Sequence, residues 1–184
     1  MAETSKMLEE TLGSDVDVEK FSMIRGKKYE MKLTDGSMGT LQVALGDQSG
    51  FLPAYTKGAF PKGEDEISIS YLNAEELGKD VGDNITLIKN GKEKDLRITG
   101  IYSDITNGGK TAHANFTDNE GKALWTMVPV SFKAGADIRG KAKQYEGSMA
   151  GIKAIGISDY MDQVFGSTIK SIGRAADIGL ILAI

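Results

Sequence analysis

The sequence predicts an α+β fold: a β-rich lobe, a small β-α-β unit and a C-terminal helix. Three observations carry this reading. Residues Glu66, Ile67, Ser68, Ile69 and Ser70 alternate with the period of a strand, and Asn90-Gly91 between two apolar runs is a strong hairpin signal. From Ser158 the period changes: Met161, Val164, Phe165, Thr168, Ile169 and Ile172 recur at helical spacing behind a serine N-cap and Asp159.

In chain order, residues 1–12 read as a short polar helix with Met7, Leu8 and Leu12 on one side. Residues 18–33 read as strand around Arg25 and Gly26, turn through Thr34, Asp35, Gly36 and Ser37, and return over 40–45 as a second strand. Pro53, Gly58, Pro61 and Gly63 make 46–65 mostly loop. Phe51, Tyr55 and Phe60 stand in that loop; aromatic side chains that a loop cannot bury mark contact surfaces, and these three are the candidate partner contact. After the strand at 66–70, a brief helix over 72–77 ends at Gly78, and 84–89 pairs through Asn90-Gly91 with a strand whose Leu96, Ile98 and Ile101 face one way. Residues 124–132 read as strand with Trp125 in a core position, 137–146 as helix and 152–157 as strand, which is the β-α-β order.

A chain of 184 residues suits one domain with two lobes. A formal net charge of -4 supplies no basic stripe for phosphates, so nucleic acid is not an expected partner. The chain has no cysteine, which removes disulfides, thiol catalysis and thiolate metal sites. Asn107, Gly108, Gly109, Lys110 and Thr111 end like a phosphate-binding loop, but Asp104 stands where the first glycine belongs and no helical stripe follows Thr111. His113, the single histidine, is read as a loop residue without an orienting partner. The acidic run Glu64, Asp65, Glu66 lacks the ligand spacing of a calcium loop and reads as a solvated turn, as do Asp15 and Asp17. The residues therefore nominate no catalytic, cofactor or metal site, and the chain is not expected to be an enzyme; a small hydrolase built on His113 is the remote alternative.

The residues Ile178, Gly179, Leu180, Ile181, Leu182, Ala183 and Ile184 are uncharged and apolar, and read either as the start of a membrane helix or as a terminal element buried in its own core. Together with the order of the pieces in the middle, this carries a resemblance. The strand at 66–70, the short helix with Ala74 and Leu77, the run Gly78, Lys79, Asp80, Val81, Gly82, Asp83, and the strand end at Ile98, Thr99, Gly100, Ile101, Tyr102 resemble the extracytoplasmic domain of FtsX/MacB-type ABC transporter permeases. Residues 102–111 resemble a Gram-positive subgroup, and Asp159, Tyr160, Met161 with 165–169 resemble the approach to the next membrane helix. The resemblance implies a single extracytoplasmic domain over 1–184, with an outer β-rich lobe at about 34–123 and a membrane-proximal lobe at about 1–33 and 124–184. It further implies a noncatalytic domain at the cell membrane that couples ATP hydrolysis by a separate cytoplasmic ATPase subunit to export of a lipid, peptide or lipoprotein, or to an extracellular partner. Its partners would be the transmembrane helices of its permease and that ATPase. The alternative is a free-standing secreted or surface binding module.

Overall fold

The computed structural model describes residues 2–48, 54–104, 106–160 and 162–163. Its elements are, in chain order, α1 (Ala2–Ser14), β1 (Val18–Phe21), β2 (Ile24–Lys32), β3 (Met38–Leu45), β4 (Tyr55–Gly58), β5 (Glu66–Ser70), α2 (Tyr71–Leu77), β6 (Asn84–Lys89), β7 (Lys92–Tyr102), β8 (Ala112–Ala114), β9 (Trp125–Met127), β10 (Val130–Phe132) and α3 (Ile138–Ser148). The mixture is α+β, as the sequence predicts. The chain divides into two units, Glu19–Ser131 and the described residues on either side of it. The sequence expectation places an outer lobe at about 34–123. Strand β2 falls in the larger unit because it pairs with β3 along its length, from Arg25 opposite Leu45 to Lys32 opposite Met38.

Within Glu19–Ser131 the strands close on themselves. The order β3-β8-β5-β7-β6-β2 is completed by the pairing of β2 with β3, so six strands form a ring, with β9 added beside β2 and β4 beside β7. Closure follows from the length of β7: its first half pairs with β6, Asn84 opposite Arg97 to Lys89 opposite Lys92, and its second half runs parallel to β5. The hairpin between β6 and β7 turns at Asn90 and Gly91, with φ of 53° and 72°, the left-handed pair that the Asn-Gly sequence prefers. Side-chain alternation then fills the ring: Tyr29, Met31, Leu41, Val43, Ile67, Ile69, Ile85, Leu87, Leu96 and Ile98 point inward, and β8 contributes only Ala112 and Ala114. Small residues on one strand let the large ones opposite reach across, as packing at crystal density demands.

Helix α2 begins at Ser70, whose hydroxyl accepts from Asn73 N, a cap the sequence reading did not name, and ends at Gly78 in the left-handed conformation, φ 61°, as predicted. Strand β4 was not predicted. Its sequence, Tyr-Thr-Lys-Gly, carries no alternating apolar pattern, and it forms because β7 offers a free edge there.

In the other unit α1 buries Leu12 to 2 % exposure. Asp15, which the sequence reading left to solvent, is 9 % exposed: its carboxylate accepts from Lys141 Nζ at 2.7 and 2.8 Å and from Tyr145 Oη at 2.5 Å, and Lys141 also reaches Asp17 at 2.8 Å. Partners more than a hundred residues away explain why local sequence could not show it. The bonds from Lys141 and Tyr145 hold the Asp15 carboxyl well below its usual range, at about 2. A carboxyl depressed in the folded state stabilises above its ordinary titration near pH 4 and loses that contribution as pH falls toward 2. We therefore expect the amide resonances of Lys141 and Tyr145 to shift between pH 4 and pH 2, and Asp15→Asn to remove that transition.

The β-α-β unit does not form. Strands β9 and β10 and helix α3 are present, but residues 152–156 are not a strand. A strand needs a partner for its backbone, and here Ala154 N donates to the Glu146 side chain at 3.0 Å instead. Residues 157–160 are helical, starting one residue before the predicted cap: Tyr160 N donates to Gly156 O at 2.9 Å, and Asp159 pairs with Arg139 at 2.8 Å. Met161 and residues 164–184, with most of the predicted C-terminal helix and the apolar run, lie outside the described residues. Among the described residues no helix is long and apolar enough to cross a membrane.

Candidate functional site

Strands β5 and β8 and the last residues of β7, Gly100 to Tyr102, have two faces, and both are buried. Register places Ser68 opposite His113 and Gly100, and Ser70 opposite Tyr102, all on the face that points away from the ring interior. Ser68, Ser70 and Tyr102 are fully buried, and Thr111, His113 and Asn73 nearly so. The result is a polar layer on the outer wall of the barrel.

Polar groups out of water need partners, and the layer supplies them in a connected set. Ser70 Oγ accepts from Asn73 N and from Thr111 N, each at 3.3 Å, while Asn73 Nδ2 donates to Thr111 O at 2.9 Å. Thr111 Oγ1 donates to Asp104 Oδ2 and meets Tyr102 Oη at 2.8 Å. Tyr55 Oη meets Ser68 Oγ at 2.9 Å. Burial pushes the Tyr102 and Tyr55 hydroxyls up from their ordinary values, so both stay protonated. His113 lies with its ring 4.5 Å from that of Tyr102 and 6.2 Å from that of Phe60, and its Nδ1 is buried without a hydrogen-bond partner among the described residues.

The cover over this layer is the segment 54–61. Tyr55 tilts against Tyr102 at 5.6 Å, and Asn115 Nδ2 donates to Pro61 O at 2.6 Å. The strap sits flush because Gly100 lies beneath it: a Cβ there would stand 2.5 Å from Ala59 O and 2.6 Å from Tyr55 Cε1. Tyr55 and Phe60 are therefore half-buried packing residues of the layer, each keeping part of its surface. Phe51 lies outside the described residues.

The other sequence candidates resolve locally. His113 is in strand β8 and not in a loop. After Thr111 comes that strand, where a phosphate loop requires a helix; Lys110 pairs with Glu76 at 2.6 Å, and Gly109 takes φ 77° against Leu72. Glu66 accepts from Lys62 N and Gly63 N at 2.8 and 2.9 Å, closing its own turn. Among the described residues no three histidine, aspartate or glutamate side chains gather as metal ligands. Trp125 lies over Gly26 in the neighbouring strand and is half-buried.

Sequence reasoning missed a second polar cluster. Lys27 Nζ approaches Asp118 Oδ1 at 3.1 Å and donates to the carbonyls of Asp118 (2.9 Å) and Glu120; Tyr29 Oη donates to Asp118 Oδ2 at 2.5 Å. The two charged side chains are only 7 % and 6 % exposed. Burial pushes the Asp118 carboxyl up, but bonds from Tyr29, Glu120 N and Lys27 outweigh it and hold it below its usual range. The signal available in the sequence is the lysine pair that interrupts the apolar alternation of β2. A shallow groove of 320 Å³ opens between the end of β2, α2 and β6, lined by Leu33, Leu77, Lys79 and Ile85 among others.

None of these sites presents a nucleophile aligned with a base and open to water.

No family model and no curated protein matches the chain. Solved structures do. The chain is similar to a domain of a protein described as a permease from Porphyromonas gingivalis, with TM-score 0.53 and 14 % identity over 73 % of this chain and 65 % of that one. It is similar to the periplasmic region of MacB from Actinobacillus actinomycetemcomitans, with TM-score 0.55 and 11 % identity over 76 % and 69 %. It is also similar to the extracellular domain of the noncanonic ABC-type transporter YknZ from Gram-positive bacteria, with TM-score 0.57 and 13 % identity over 80 % and 86 %. The chain thus spans just under two thirds of the first of these structures and more of the other two. Identities this low speak to architecture, and the architecture described here is the one found in the extracytoplasmic domains of MacB/FtsX-like ABC transporter permeases.

Proposed function

We infer that the chain is the extracytoplasmic domain of an FtsX/MacB-like ABC transporter permease, noncatalytic, and that it couples ATP hydrolysis by a cytoplasmic ATPase subunit to export of a lipid, peptide or lipoprotein or to an extracellular partner. The observation that carries this is the shared fold over 73–80 % of the chain with three domains of that kind. Two features support it. The described residues up to Val18 and those from Phe132 onward cluster in one unit, the arrangement that a domain inserted between two membrane spans requires. Six strands pair into a closed ring, and a motion generated at a membrane is useful outside only if it passes through a body that does not bend freely. The partner contact belongs on the aromatic segment with Phe51, Tyr55 and Phe60, and membrane partners belong with the smaller unit.

The absence of cysteine makes a direct test clean within this domain. In cells producing the parent protein, Lys92→Cys, at the exposed start of β7, is expected to react with a membrane-impermeant maleimide without lysis. Labelling only after lysis would place the barrel in the cytoplasm and end this reading.

A further inference from the structure

His113 is the group in the polar layer that the proposed coupling leaves without a role. It is 8 % exposed, and its Nδ1 is the buried side-chain polar atom that finds no partner among the described residues. A neutral imidazole tolerates this, because an unfilled acceptor costs little more than its lost hydration. An imidazolium donates from both nitrogens, and its second N–H would then be buried without an acceptor.

The groups packed around the ring decide how costly that charge is. From the chain after β7, Asp104 acts on His113 and favours the charged form. From β7 itself, the Tyr102 ring at 4.5 Å offers a favourable face. Ser68 and Ser70 from β5 and Asn73 from α2 are neutral and already engaged. From the strap come Tyr55 and Phe60, uncharged, while the strap's Lys57 is exposed and paired with Asp80 at 2.5 Å. Burial outweighs Asp104 and holds the imidazole well below its ordinary value, at about 4.

The layer is covered unevenly. One side is the barrel wall. The other is the strap, whose Thr56, Lys57, Gly58 and Ala59 are exposed. Among the bonds that tie it down are Ser103 N to Ala54 O (3.2 Å), Ala59 N to Thr99 O (2.9 Å) and the Tyr55–Ser68 contact. Releasing it would hydrate His113 without opening the ring of strands.

We propose that the strap 54–61 is an acid-released latch: protonation of His113 detaches it from the wall of β5, β7 and β8 while the barrel stays closed. The sign follows from linkage. The closed form binds the proton less well than the released form, so closure is favoured above the ordinary histidine midpoint of 6.5 and weakens as pH falls toward 4. With those two midpoints the opening constant rises about 100-fold between pH 7 and pH 4. The latch stands independently of the transporter reading.

Because His113 is the single histidine, its ring carbon resonance is unambiguous in the whole domain. Its NMR titration is expected to show a midpoint well below 6.5. Hydrogen-exchange protection of the Ala59 and Ser103 amides, corrected for intrinsic rates, is expected to fall at least tenfold from pH 7 to pH 4, with Leu87 and Ile98 unchanged. His113→Phe should abolish that fall, with His113→Gln as the substitute if the larger ring is not accommodated. Gly100→Ala should lower Ala59 protection already at pH 7 by lifting Tyr55. The latch is overturned by a midpoint near 6.5, by the same loss of protection in the His113 variants, or by simultaneous loss at Leu87 and Ile98.

Discussion

Replacing Asp118 with alanine is expected to lower the unfolding free energy of the barrel unit by about 3–5 kcal/mol. Removing the carboxylate strands Lys27, whose side chain is 7 % exposed and cannot turn to water without opening the seam between β2 and the 115–121 segment. It also leaves the Tyr29 hydroxyl without its acceptor, in a place where burial already disfavours the phenolate. The pair need not be strongly stabilising for this to hold, since the cost lies in the uncompensated charge. Lys27→Met in the Asp118→Ala background is accordingly expected to recover much of the loss, because it removes that charge and keeps the aliphatic volume. Urea unfolding of the wild type, both single variants and the double variant closes the cycle. Equal stability of Asp118→Ala and wild type would show that the pair is hydrated in solution.

Gly26→Val is expected to cost about 2 kcal/mol and to unseat Trp125. A Cβ at Gly26 would fall 2.1 Å from Trp125 Cε2 and 2.4 Å from Nε1, well inside any permitted contact. Strand β9 pairs with β2 over only Ile24 to Gly26, so it has little else to hold it when the indole is pushed away. Trp125 is the single tryptophan, and its emission reports that displacement directly: a red shift with the barrel still folded is the expected outcome. Unchanged emission would mean that the ring does not rest on Gly26 in solution.

How much of this was legible beforehand depended on the range of the interactions. The α2 stop at Gly78, the Asn90-Gly91 turn and the inward set Ile67, Ile69, Leu96 and Ile98 are local, and each followed from spacing and residue type. The failures were of long range. Strand β4 has a strand's neighbours but not a strand's sequence; residues 152–156 have the reverse. His113 looked like a loop residue because β8 is only three residues long, with alanines on either side, too short and too small to register as a period. The Lys27–Asp118 and Asp15–Lys141 pairs join residues about ninety and more than a hundred and twenty apart, a separation at which composition carries no trace of contact. In the aromatic segment, whose residues were marked as unable to hide in a loop, Tyr55 and Phe60 turn from the strap onto Tyr102 and His113 of the barrel wall.

The ring of strands contains one join that sets the order of assembly. Strand β8 lies parallel to β3, Val43 opposite Ala112 to Leu45 opposite Ala114, so the wall cannot be completed until residues almost seventy apart have met. Hairpins such as β2–β3 and β6–β7 can nucleate early because their ends are already close, whereas a distant parallel join must first bear the entropy of gathering everything between. On a ribosome, the half-made cylinder would wait with a bare flank on β3 until Ala114 had cleared the exit tunnel, and that interval is when the nascent chain is most exposed to pairing with the wrong neighbour.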